Sequence, residues 1–264
     1  MKSARGAALL LMLSMGQSTF ASGFDTVAAD GRQTGRVTWH LLQAPFRGSG
    51  KDYAIAGGLL AGIAALSALD RTVREAADST GGRWAEDVSN VGHLYQQVGL
   101  TFAVAGAFYL AGLATDEPPL RRTGQEVVES FCLSGLGSQV VKRTLGRNRP
   151  YAEHGPYHFV GPNWKNVHQS FPSGDTVVAF SLSTVLASEA KSWPVSVALY
   201  SLAATTAFQR LHRDRHWFSD TVGGAVWGTA VGLGVVRAHR SLADCGSAAT
   251  AVPAANGITL TINW

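Results

Sequence analysis

Five apolar blocks divide the chain: Tyr53 to Leu69, Val98 to Thr115, Thr176 to Ala187, Trp193 to Phe208 and Thr221 to Val236. Each is a continuous run of 12 to 18 residues, a length that favours helix over strand. Between the second and third, Gly124 to Val141 is amphipathic, with Val128, Cys132, Leu136 and Val140 recurring every fourth residue. Thr123 and Glu126 have the spacing of a capping box at its start. Small residues also recur at four-residue spacing, Gly58 and Gly62 in the first helix and Gly224, Gly228 and Gly232 in the last. Such rows let helix backbones approach closely. The pattern predicts an all-α protein, a six-helix bundle over residues 53–238.

The flanks read differently. Lys2 and Arg5 precede an apolar run, Ala7 to Met15, and Thr19-Phe20-Ala21 offers small residues for a signal peptidase. Residues 1–21 are therefore expected to be a signal peptide cleaved after Ala21, with an uncleaved anchor helix as the alternative. Residues 22–52, carrying Gly31, Gly35, Gly48 and Gly50, are expected to form a lead-in without strong structure. In the tail, 239–264, alternation from Gly257 onward predicts one short strand.

Composition narrows the class. Charged residues are 15% of the chain and apolar ones 46%, with 30 glycines, a balance suited to closely packed apolar helices. The net charge of +4 favours an anionic partner, and phosphate, anionic lipid and nucleic acid all qualify. Nucleic acid is disfavoured because the basic residues interleave with apolar helices instead of forming an aromatic-lined stripe. The two cysteines, Cys132 and Cys245, have no metal-ligand or redox spacing, and Cys132 is expected in the core. The apolar blocks fall short of the roughly 20 residues of a bilayer crossing. An inner-membrane bundle facing the periplasm and a soluble periplasmic one both fit.

Polar residues concentrate in three segments at helix ends: Lys142 to Pro150, Phe171 to Thr176 and Gln209 to Asp220. In a bundle of alternating helices all three can meet at one end. Together they hold what cleavage of a phosphate ester requires. Lys142, Arg149 and Arg210 supply fixed positive charge for phosphoryl oxygens. Ser173 and Gly174 stand at a helix N-terminus with free backbone N–H groups and little side-chain bulk. His216 can attack when neutral, and Asp220, four residues on, can hold its other ring nitrogen. No cofactor or metal is demanded, since carboxylates are few and cationic side chains occupy a metal's place. Arg143, Arg147, Arg213 and Arg215 read as a solvated basic face.

These segments resemble the type 2 phosphatidic acid phosphatase family, which also includes bacterial class A acid phosphatases and vanadium haloperoxidases. The family pattern is Lys-x6-Arg-Pro, then Pro-Ser-Gly-His, then Ser-Arg-x5-His-x3-Asp. Lys142, Arg149 and Pro150 match the first part; Pro172, Ser173 and Gly174 the second; Arg210, His216 and Asp220 the third. The resemblance implies a phosphohistidine on His216, oriented by Asp220, with Lys142, Arg149, Ser173, Gly174 and Arg210 binding phosphate. It also implies substrates that are lipid phosphomonoesters or diphosphates, or small phosphoesters. Two positions depart from it. Gln209 replaces a Ser, and Asp175 replaces the His that protonates the leaving oxygen. Asp175 is therefore expected to act as a protonated acid, to serve a substrate with a good leaving group, or to leave a site that binds phosphate without turning it over well. His154, His158 and His168, in the preceding loop, are candidate substitutes for the missing donor.

Overall fold

The computed structural model describes the backbone of residues 2–254 and 257–262 and the side chains of residues 25–242. Nine α-helices follow one another among the described residues: α1 (Lys2–Arg47), α2 (Gly50–Leu66), α3 (Asp70–Ser79), α4 (Arg83–Tyr95), α5 (Val98–Ala114), α6 (Pro118–Leu145), α7 (Gly174–Ala190), α8 (Trp193–His212) and α9 (Phe218–Ala248). The protein is all-α, with one antiparallel hairpin, β1 (Ala249–Ala254) and β2 (Gly257–Ile262), at its end. The six expected helices are α2 and α5 to α9. Three more, α1, α3 and α4, raise the count, and a second strand pairs with the expected one.

Helix α7 is the axis of the bundle, packed against α6, α8 and α9. Its Val177, Ala179, Leu182 and Val185 are fully buried, and Val127, Ala203 and Val236 close around them. The glycine row of α9 makes this contact possible. A Cβ at Gly228 would lie 2.4 Å from the Val177 carbonyl oxygen, and one at Gly224 2.6 Å from that of Ser173. Gly58 and Gly62 have open space around them instead, so the matching expectation for α2 fails.

The lead-in expectation is also corrected, because α1 runs without a break through residues 22–47. Its inner face is ordered at helical spacing. Asp30 accepts from Tyr109 Oη at 3.1 Å, Gln33 meets His239 Nδ1 at 3.1 Å, Val37 is fully buried, and Leu41 lies beside Gly234. Gly31 and Gly35 face open space, where they cost helix propensity without breaking the element. The proposed signal, residues 1–21, lies outside the residues whose side chains are described.

Helix α6 carries the reverse of its expected amphipathicity. From Cys132 onward the apolar row faces outward, with Leu136 69% and Val140 66% exposed and Cys132 exposed as well, while Val128 packs against the core. Ser130, Ser134 and Ser138 form the buried face, each donating back to a carbonyl of its own helix. Cys132 is thus not a core residue; an apolar row normally turns inward only where water covers the other side. Nor does Thr123 cap α6, which starts at Pro118; its hydroxyl bonds the Pro119 carbonyl within the helix. Apolar exposure continues on α2, where only Ile63 is buried. Among the described residues, one continuous helical stretch, Gly50–Ser79, is long and apolar enough to cross a membrane. The pair α4 and α5 qualifies together but bends by 55°.

Candidate functional site

Each of the three segments is held by local backbone logic. Helix α6 stops at Gly146, in the left-handed conformation at φ 64°, with its N–H on the Lys142 carbonyl at 3.1 Å. A Cβ there would strike the Gly161 carbonyl oxygen at 1.9 Å, so only glycine lets the 159–161 segment cross at this point. The turn leaves Lys142 on the last helical turn and Arg149 just beyond it. Ser173 precedes the first residue of α7, and its N–H donates to the Asp220 carbonyl at 2.9 Å, tying the start of α7 to the start of α9. Arg210 lies in the last turn of α8, and His216 in the connection to α9.

These side chains gather at one end of the bundle. Arg149 Nη1 lies 3.3 Å from His216 Nε2, and Gly174 leaves room for Lys142, whose Cε would lie 3.4 Å from an added Cβ. Lys142 Nζ and Arg149 Nη2 both donate to the Gln169 carbonyl, at 3.1 and 3.4 Å. Arg149, Asp175 and Arg210 line one cleft of about 590 Å³. On the other side of the imidazole, Nδ1 faces Asp220 Oδ2 at 3.6 Å, a distance beyond a direct hydrogen bond. His216 is 3% exposed, and burial, reinforced by Lys142 and Arg149, pushes its pKa down to about 4. The ring is therefore neutral at ordinary pH, and its Nε2 lone pair accepts from Arg149 Nη1. Burial, with Arg149 next, likewise lowers Lys142 to about 8.

Asp220 is fixed by a buried network whose central member, Arg147, was expected to be a solvated cation. Arg147 is instead buried. Its guanidinium donates to Asp220 Oδ1 at 2.6 Å, Asp70 Oδ2 at 2.7 Å, Ser219 Oγ at 2.8 Å and the Pro156 carbonyl at 2.9 Å. The Ser170 hydroxyl and the Trp217 N–H donate to Asp220 Oδ2. Asp70, at the start of α3, escaped the sequence reading. A single carboxylate following an apolar block carries no signal until the fold puts an arginine beside it. Of the other outer cations, Arg213 pairs with Glu86 at 2.7 Å, while Arg215 lies over the Tyr151 ring.

Asp175 lies in the first turn of α7, and its Oδ2 accepts from Arg210 Nη1 at 2.7 Å. Arg210 Nε also donates to Gln209, so the residue standing for the family's Ser helps hold this guanidinium. None of the three loop histidines stands beside Asp175. His154 and His158 stack on each other, and His154 lines a separate cavity with Arg71, Arg74 and Trp217. His168 bonds the Asn148 side chain. Among the described residues no cluster of three or more His, Cys, Asp or Glu suited to a metal ion occurs.

The helical bundle thus brings these ordered segments to one cationic end. Residues 125–243 match the family model of the PAP2 superfamily. Over 65 residues it is 42% identical to a lipid A 1-phosphatase of Porphyromonas gingivalis; the aligned stretch is 24% of this chain and 15% of the relative's length. The fold resembles that of a transmembrane PAP2 type phosphatidylglycerolphosphate phosphatase from Bacillus subtilis. That match has a TM-score of 0.56 at 18% identity and covers 72% of this chain and 96% of the other. The crystal structure of Aquifex aeolicus LpxE aligns over 64% of this chain and 95% of its own, with a TM-score of 0.49 and 18% identity.

Proposed function

We propose that the protein is a metal-independent phosphatase of the cell envelope that hydrolyses lipid phosphomonoesters or diphosphates through a phosphohistidine on His216. The observation that carries this reading is the buried, neutral imidazole with Nε2 beside Arg149, which lines a cleft together with Arg210. In the first step Nε2 attacks phosphorus in line and the ester oxygen leaves. Lys142, Arg149, Arg210 and the N–H groups around Ser173 and Gly174 hold the three non-bridging oxygens. Asp220, held by Arg147, faces Nδ1 and steadies the charge that the ring gains. Water then attacks the phosphohistidine from the vacated side and releases phosphate.

A lipid substrate is favoured because apolar surface surrounds the site's own helices. The outward row of α6 ends in the same helix as Lys142, and α2 is exposed along its length. Exposed apolar surface of this extent fits a bilayer better than water. The name of the Porphyromonas relative points to lipid phosphate as well. The site would face the periplasm, with residues 1–21 acting as signal or anchor.

A second reading, a binder of lipid phosphate with little turnover, is favoured by the Asp175–Arg210 ion pair alone. Phosphate release should be measured from lipid and water-soluble esters between pH 4 and 8, with His216→Ala as control. Turnover of lipid esters that vanishes in the control supports the first reading; phosphate binding without turnover supports the second. Release from membranes by salt wash, without detergent, would overturn the membrane assignment.

A further inference from the structure

Departure of the ester oxygen from phosphorus requires a proton unless the leaving group is a stable anion, and such help is worth about 100- to 10,000-fold. Asp175 is engaged as the anionic partner of Arg210 and in that pairing has no proton to give. The loop histidines face elsewhere. One imidazole does line the same cleft as Asp175, Arg149 and Arg210, and it comes from α4, a helix that the hydrophobic pattern does not reveal.

We infer that His93 is the catalytic acid and base of this site, taking the part that Asp175 cannot. The inference rests on the phosphatase reading above. Its position follows from packing. Helix α4 runs antiparallel to α8, and Gly92 brings the two backbones together: a Cβ there would lie 2.2 Å from the Thr205 carbonyl oxygen. Thr206 Oγ1 donates to the Gly92 carbonyl at 3.0 Å. The residue after this contact is His93, exposed toward the cleft that Arg210 closes from α8 and Asp175 from α7.

Its ring is held on both sides. Nδ1 lies 3.1 Å from Gln96 Nε2, and Nε2 lies 3.1 Å from Gln97 Nε2. A carboxamide can present either its oxygen or its amino group to a ring nitrogen. Gln96 can therefore turn either group to Nδ1, while the Gln97 amino group, which also donates to the His93 carbonyl at 3.2 Å, is exposed and gives up Nε2 when a leaving group enters the cleft.

The steps balance. As the P–N bond to His216 forms and the P–O bond breaks, the His93 imidazolium passes its proton to the departing oxygen, giving an alcohol and a neutral ring. In the second step neutral His93 accepts a proton from the attacking water. The new O–P bond forms, the P–N bond breaks with its electron pair returning to His216, and His93 is again the imidazolium.

The test is the dependence of rate on leaving group, measured on the full chain with p-nitrophenyl, phenyl and glycerol phosphates. His93→Gln should lower kcat about 100-fold on glycerol phosphate and less than about 5-fold on p-nitrophenyl phosphate, whose leaving group needs no proton. Adding Asp175→His to His93→Gln should restore the glycerol phosphate rate. Unchanged rates, or one equal loss across the series, would overturn the assignment while leaving the phosphatase reading intact. A wild type no faster than His216→Ala on every ester would instead remove that reading, and this inference with it.

Discussion

Arg147 Nη1 lies 2.6 Å from Asp220 Oδ1, with both side chains buried, and its second amino group lies 2.7 Å from Asp70 Oδ2. One guanidinium thus neutralises two carboxylates from different helices, and one of them faces the His216 ring. Truncating a single member of a buried charge network leaves the others uncompensated, at a cost of about 3–5 kcal/mol. Arg147→Met should destabilise the protein by that amount, read from the midpoint of chemical denaturation in detergent. Arg147→Lys keeps the charge but cannot span both partners, and should fall between. A methionine variant as stable as the wild type would show that the network carries no net stabilisation.

Activity on p-nitrophenyl phosphate, whose leaving group needs no proton from His93, should follow a bell-shaped pH profile. His216 must be neutral to attack, and its pKa near 4 puts the acid limb there. Lys142 must be charged to hold phosphate, and its pKa near 8 puts the alkaline limb there. Lys142→Arg keeps its charge at any accessible pH, so the alkaline limb should move upward while the acid limb stays. Stability changes in the same acid range. Because the folded value of His216 lies below the unfolded 6.5, the unfolded chain binds a proton first as pH falls. The stability that the neutral buried ring permits is complete above about 6.5 and declines toward pH 4. A kcat/KM profile flat from pH 7 to 10 would contradict the part assigned to Lys142.

Asp175 places a negative charge where a phosphate must arrive and occupies one of the cations meant for it. Removing that charge should strengthen anion binding. Asp175→Asn is expected to bind inorganic phosphate roughly 5- to 10-fold more tightly, the scale of one partly exposed charge pair near the surface. Calorimetric titration of both proteins with phosphate measures this directly. Weaker binding in the variant would mean that Asp175 positions Arg210 for phosphate instead of competing with it.

The gathering of the polar segments at one end was more legible in the sequence than the scaffold around it. Lys142, Arg149, Ser173, Arg210 and His216 stand in short polar segments between apolar helices, so their spacing alone brings them to one end. Hydrophobic periodicity served α7, whose sides are covered by other helices, and misled on α6. There Leu136 and Val140 face outward and serines face inward, because the apolar row has no helix to meet. Helices α3 and α4 are short and polar and are held by tertiary contacts: Arg74 to Asp214 at 2.8 Å, and Gly92 against α8. No local pattern reports such contacts; Asp70 and His93 went unread with them, and Arg147 was misread as solvated.

Close approach of α7 and α9 is what fixes Ser173 against Asp220, so the glycine row of α9 should matter to the site as well as to stability. At Gly228 an added methyl would lie 2.4 Å from the Val177 backbone oxygen, which cannot move without shifting α7. Gly228→Ala is therefore expected to destabilise the protein by about 1–3 kcal/mol, the range for overpacking a close contact. Phosphate turnover should fall too, since the bond from Ser173 N–H to the Asp220 carbonyl spans the same interface. Gly58→Ala is the matched control. It lies on an exposed helix in open space, where alanine relieves glycine's helix penalty of about 1 kcal/mol, and should be neutral or stabilising. Equal thermal midpoints for the two variants would mean that α7 and α9 can part without consequence, and that the site does not depend on their contact.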